Sequence, residues 1–153
     1  LEHAHLRFLA SAEAVINADV DELIVTSDRE SIFDIVARSK TGYLRYEGIA
    51  VENATEQNDG MDIRHSHYVY NETTPRVTNA KWTVDPSRCH PHSQWCVHKI
   101  RVKMRSDGLS ARVRYRHFMA ITTNWETQRG KLERPGPGHQ LDEELVRCLA
   151  CIR

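Results

Sequence analysis

Two aspartates and a glutamate share the four-residue stretch Asp19-Val20-Asp21-Glu22, directly after the apolar run Ala14-Val15-Ile16 and before Leu23-Ile24-Val25. Ionised carboxylates this close repel one another and are costly to desolvate, so a strand end carrying them is either well solvated or neutralised by a cation. With Val15 to Ala18 as a buried strand, period-two alternation sends Asp19 and Asp21 to one side and Glu22 to the other. Two hard oxygen ligands at the rim of a sheet suit Mg2+ or Mn2+, and such a cation suits a diphosphate. A plain polar turn after a strand is the other reading of these residues.

A second cluster is Cys89-His90-Pro91-His92-Ser93-Gln94-Trp95-Cys96-Val97-His98, with Cys148 and Cys151 further on. Thiolates and imidazoles in this density can hold Zn2+, which gives an alternative function: a non-catalytic interaction module stabilised by zinc. The gap from Cys89 to Cys96 exceeds the usual ligand spacing, and Cys148 flanks the apolar face of a helical pattern, so buried or idle thiols compete with that reading. Trp82, Trp95 and Trp125 offer rings that stack on sugars, with Trp125 the most exposed in pattern and Trp82 reading as core. A Mg2+-dependent phosphohydrolase using the same aspartates is a third option, although Leu23 stands where its motif needs another residue.

The elements that must position these residues follow from periodicity. Leu6, Leu9, Ala10 and Ala14 share one helical face at the start of the chain. Ser27-Asp28-Arg29-Glu30 has capping-box spacing ahead of Ile32, Phe33 and Val36, which predicts a helix from about Ser31 to Ser39, ended by Thr41-Gly42. Tyr43 to Val51 reads as a strand with Gly48 as a bulge, and Glu52 to Gly60 as a surface loop. Strands are also expected over Ile63 to Tyr70, Lys81 to Val84, Val97 to Met104, and around Val113 and Tyr115, the last with a basic face of Arg112, Arg114 and Arg116. Arg134-Pro135-Gly136-Pro137-Gly138 breaks regular structure before a helix over Leu141 to Ile152. Helices alternating with strands make an α/β fold, whose ligands bind beyond the carboxyl ends of strands, where Asp19 and Asp21 lie.

Composition bounds the rest. The 153 residues are 40% hydrophobic and 27% charged, enough for one domain with a core. Lysine plus arginine equals aspartate plus glutamate at 21 each, without the basic excess of a dedicated nucleic-acid binder. No apolar run reaches the length of a membrane span, and no signal peptide opens the chain. Four cysteines are too few for a secreted disulfide scaffold, so a cytoplasmic setting is expected.

The run Asn17-Ala18-Asp19-Val20-Asp21-Glu22-Leu23-Ile24 resembles the Asp-x-Asp segment of GT-A-fold glycosyltransferases, in particular bacterial family 2-type and family 92-like enzymes. Lys81-Trp82-Thr83-Val84-Asp85-Pro86, Val97-His98 and Tyr115-Arg116-His117-Phe118 are similar to that group in the same order, so the resemblance covers about residues 6 to 130. It implies transfer of a sugar from a nucleotide-sugar donor to a glycan or other acceptor, with Mn2+ or Mg2+ held against the diphosphate. On this resemblance Asp19 contacts the donor or the metal, Asp21 binds the metal, and His98 completes the metal site, with His117 as the alternative. Arg114, Arg116 or Lys99 would add positive charge at the diphosphate. An inverting transferase also needs a carboxylate base, for which Glu52 is the first choice and Asp62 the next. Only 18 residues precede Asp19, so the family's Rossmann-like nucleotide-binding half has no room. The expectation is a single domain, residues 1–153, forming a partial GT-A fold: a mixed sheet flanked by helices, from the C-terminal part of a longer enzyme or a degenerate copy of one.

Overall fold

The structure, a computed structural model, describes residues 8–9, 11–28, 30–57, 64–101, 106–119 and 133–151. In chain order these form β1 (Val15–Asn17), β2 (Glu22–Thr26), helix α1 (Ile32–Ala37), β3 (Tyr43–Val51), β4 (Tyr70–Glu72), β5 (Val77–Val84), β6 (Gln94–Trp95), β7 (Ile100–Arg101), β8 (Val113–Phe118), β9 (His139–Leu141) and helix α2 (Glu143–Leu149). Five strands make one mixed sheet in the order β1-β5-β3-β8-β2. Neighbours pair antiparallel except β3 and β8, which run parallel. Two small sheets, β4 with β9 and β6 with β7, complete a mixed α/β architecture.

The sheet cannot be flat. Strands β1 and β2 lie at its opposite edges, yet the link from Asn17 to Glu22 reaches at most about 18 Å fully extended. The outer strands of a flat five-stranded sheet are about 19 Å apart, and this link also contains a turn, so the sheet curls until its edges approach. Register then sorts the side chains. Ile16, Ile24, Leu44, Tyr46, Val113 and Tyr115 share the concave face, where α1 packs Ile32, Ile35 and Val36 against them. On the other face Val51 and Phe118 meet Leu145 of α2, and Tyr43, Trp82, Val84, Trp95 and Ile100 form a separate cluster.

Strand β3 follows the expected span, and its register shifts between Tyr46 and Gly48, the bulge the glycine suggested. Helix α1 is capped by Ser31, whose Oγ accepts a hydrogen bond from Phe33 N at 3.2 Å, rather than from the earlier Ser27 spacing. The Gly42 that follows takes a positive φ of 71°, which the chain needs to turn into β3.

Other expectations change. The expected strand over Ile63 to Tyr70 is a 3-10 turn at His65–His67, closed by Arg64 N donating to His67 Nδ1 at 3.1 Å, and β4 starts only at Tyr70. Of the strand expected over Val97 to Met104, Val97 lies in the turn between β6 and β7 of a short hairpin, and Val102 to Met104 lie outside the described residues; β5 begins four residues before Lys81. Helix α2 is shorter than expected because Leu141 belongs to β9 and Asp142 caps it. Most of the opening helix expected around Leu6 and Ala10 lies outside the described residues.

Candidate functional site

Strand β1 stops at Asn17, and the chain turns before β2: Glu22 N donates to Asp19 O at 3.1 Å, while Asp19 N donates to Glu22 Oε2 at 2.9 Å. A turn does not alternate like a strand, so Asp19 and Asp21 do not share a side. Asp21 is 7% exposed, and its carboxylate lies 3.4 Å from His117 Nε2. Glu22 is the acid that joins Asp19, which reverses the alternation argument made from the sequence.

What brings them together is Lys81. Its Nζ lies 2.6 Å from Asp19 Oδ2 and 3.1 Å from Glu22 Oε2. The Lys81 and Glu22 side chains are each 2% exposed, whereas that of Asp19 is 61% exposed. An ammonium this buried must keep a carboxylate partner. Register puts Lys81 opposite Tyr46 and Glu22 opposite His117, all on the concave face beyond the rim of α1. The curl lets β5 reach β2 across the intervening strands.

The result is a cleft of about 340 Å³ lined by Asp19, Glu22, Lys81, His98, Tyr115 and His117, with Arg76, Val77, Thr78, Asn79 and Met119 completing its wall. His98 arrives from the tip of the β6–β7 hairpin. Three hydrogen bonds place that tip: Cys96 N donates to Lys99 O at 3.0 Å, Trp82 Nε1 donates to Cys96 O at 2.8 Å, and Asn17 Nδ2 donates to Val97 O. Tyr115 forms the floor, its hydroxyl taking a hydrogen bond from Thr78 Oγ1 at 2.7 Å and donating to Asn79 O. Burial pushes the Tyr115 phenol above its ordinary value, so it stays a neutral donor and acceptor.

Burial pulls the Lys81 pKa down, but hydrogen bonds and charge from Asp19 and Glu22 outweigh it and leave the ammonium above 10.5. A group raised on folding stabilises the fold below its unfolded pKa, and this contribution is lost as pH rises through the folded value. Melting curves should therefore show the wild type losing its margin over Lys81→Met only above pH 10.5.

The other expected site residues fall elsewhere. Arg116 points to the opposite face, 3% exposed, with its charge taken by Asp142 and by Glu144 at 2.8 Å. It cannot also meet a diphosphate in the cleft. Arg114 is exposed on the same side as Arg116 and does not line the cleft. Glu52 is held by Arg76 at 3.0 Å, so it stands behind a cleft-lining residue. Asp62 and Trp125 lie outside the described residues. Trp82 is fully buried, as its pattern suggested. The four cysteines are free thiols, and burial pushes Cys89 up to about 11.

Among the described residues no group of three or more His, Cys, Asp or Glu could hold a metal ion, so neither the Asp19, Asp21 and His98 set nor a cysteine-histidine zinc set is assembled. Asp19, the exposed carboxylate of the cleft, is taken up by the Lys81 ammonium, so a hard cation there would have to compete with that ion pair.

Sequence reasoning assigned no role to Lys81 and Tyr115, the two side chains that shape the cleft. A signal was present. Lys81 sits in a strand beside Trp82 and Val84, and a lysine among core positions calls for a carboxylate partner. No protein-family model matches the chain, and no curated protein matches it in sequence. No helix among the described residues is long and apolar enough to cross a membrane.

Proposed function

We propose that the cleft binds the diphosphate of a nucleotide-sugar donor and that the chain is a metal-dependent glycosyltransferase, or the acceptor-side part of one. The observation that carries this reading is convergence. Asp19 and His98, expected to act together but far apart in sequence, line one cleft with the buried cation of Lys81. A cleft of about 340 Å³ is at the small end of ligand sites, sized for a diphosphate and part of a sugar rather than a whole nucleotide.

Positive charge for the donor comes from Lys81, and from Arg76 at the wall, in place of the arginines of β8. Mn2+ or Mg2+ held by Asp19 and His98 would supply further positive charge to the departing diphosphate. His117 lines the same wall with Asp21 behind it, fixing the ring at the donor's edge. Glu52, which does not line the cleft but pairs with its wall residue Arg76, remains the candidate for taking the acceptor's proton, because Asp19 and Glu22 are both engaged by Lys81. The acceptor is a glycan or another hydroxyl compound, and the free thiols suit a reducing cytoplasm.

Calorimetric titration of this chain with a panel of nucleoside diphosphates, with and without Mn2+, tests the reading. Binding should require Mn2+, and Asp19→Asn or His98→Ala should each weaken the Mn2+-dependent binding by about 10–100-fold. Binding that ignores both Mn2+ and these two substitutions would reject it.

A further inference from the structure

A second cavity, of about 300 Å³, lies between β2 and the end of α2, away from the cleft. Ile24, Val25 and Thr26 line it from the strand, and two thiols, Cys148 and Cys151, line it from the helix. Cys148 belongs to α2, and Cys151 follows the capping residue Ala150. Cys151 N donates to Cys148 O at 3.1 Å, so the two cysteines are the ends of a single turn. A turn of that kind holds their Cα atoms within about 7 Å, the reach of a disulfide.

The two sulfurs differ in access. Cys151 is exposed and Cys148 is half-buried. Cys151 Sγ donates to Arg147 O at 3.4 Å, a weak hydrogen bond whose loss costs little. An exposed thiol meets a reagent from solution first, and a second thiol beside it resolves the adduct. A bridge between Cys148 and Cys151 would close so short a loop that it constrains the unfolded chain little, which makes a structural staple a poor use of the pair.

We propose that Cys148 and Cys151 are a reversible thiol–disulfide exchange pair whose substrate is a low-molecular-weight disulfide. The Cys151 thiolate attacks one sulfur of that molecule, its S–S bond breaks, a mixed disulfide forms on Cys151, and one small thiol leaves. The Cys148 thiolate then attacks the Cys151 sulfur, which forms the internal bridge and expels the second small thiol. The protein gives up two electrons to the small disulfide, and the two protons of the cysteines end on the two small thiols. Excess small thiol runs both steps backwards. This chemistry is independent of the diphosphate reading of the cleft.

The test incubates the reduced protein with glutathione disulfide in the absence of air, alkylates the remaining thiols, and maps the products by peptide mass spectrometry. The wild type should end with Cys148 bridged to Cys151 and with Cys89 and Cys96 alkylated, and reduced glutathione should restore both thiols. Cys148→Ser should stop with glutathione held on Cys151. Cys151→Ser should take up glutathione on Cys148 about tenfold more slowly than Cys148→Ser does on Cys151, because the remaining sulfur is half-buried. Circular dichroism checks that both variants fold, and the wild-type arm needs neither. A wild type that keeps all its thiols, stops at a mixed disulfide, or joins Cys151 to Cys89, Cys96 or another copy overturns the proposal. Equal rates in the two variants overturn it as well.

Discussion

Asp142→Ala should lower folding stability by about 3–5 kcal/mol, seen as a lower urea midpoint. One carboxylate does three jobs there. Its Oδ1 accepts from Leu145 N at 2.9 Å to cap α2, and from Arg116 Nη2 at 3.1 Å. Its Oδ2 accepts from Asn71 Nδ2 at 2.9 Å and from Arg116 Nε. Removing it leaves a guanidinium that is 3% exposed with Glu144 as its remaining charge partner. The cost is mostly that stranded charge, so Asp142→Ala combined with Arg116→Met should recover much of the loss.

The same residue sets an acid limit. Burial raises the Asp142 pKa, but hydrogen bonds from Arg116, Leu145 N and Asn71, with the Arg116 charge, outweigh it and hold the carboxyl below 3.8. A depressed carboxyl contributes stability above its unfolded pKa and loses it as pH falls through the folded value. The gap between wild type and variant should therefore narrow below pH 3.8, measured by urea unfolding at a series of pH values.

Gly48→Ala is the second large effect. A Cβ at this position would lie 2.1 Å from Thr78 Oγ1 and 2.3 Å from Tyr115 Cζ. Both neighbours belong to adjacent strands, since Gly48 pairs with Thr78 on one side and Tyr115 on the other. The Tyr115 ring crosses the strand because nothing projects from Gly48. Inserting a methyl forces the ring off its place or spreads the strands, at a cost of about 3 kcal/mol, the upper end for overpacking. The cleft should open with it, because Tyr115 and Thr78 both line it. Gly108→Ala is the control: among the described residues, no atom beyond its chain neighbours lies within 4 Å of a Cβ there, and its φ of 89° resists for about 1 kcal/mol. Thermal melts of the two variants should separate by that difference. Equal melts would mean that Tyr115 does not lie over Gly48.

The sequence was legible where one rule acted alone. Tyr43 to Val51 reads as a strand because β-branched and aromatic residues bounded by turn signals have few other solutions, and Gly48 marks its bulge. Leu145 falls on the apolar face that amphipathic patterning gave it, and α1 begins where expected although Ser31, not Ser27, supplies the cap. It was illegible where tertiary pairing decides. Asp19 and Asp21 look alike in sequence, but whether a strand or a turn holds them depends on where β1 ends, and β1 ends by pairing with β5. Arg114 and Arg116 both alternate with core residues, yet α2 folds over one and leaves the other in solvent, a choice made by Asp142 near the far end of the chain. His98 lines the cleft, but its expected role as a metal ligand is untouched by that position. A resemblance of short motifs singled it out, and the hairpin holding it has little local signal, being fixed by Asn17 and Trp82 from β1 and β5.

Anomalous diffraction from crystals grown with Mn2+ and a nucleoside diphosphate tests the proposed diphosphate site most directly. Manganese and the diphosphate should both lie in the cleft, the manganese beside Asp19 and His98 and the phosphates beside Lys81 and Arg76. Manganese outside the cleft, or a diphosphate bound away from it, would contradict the reading.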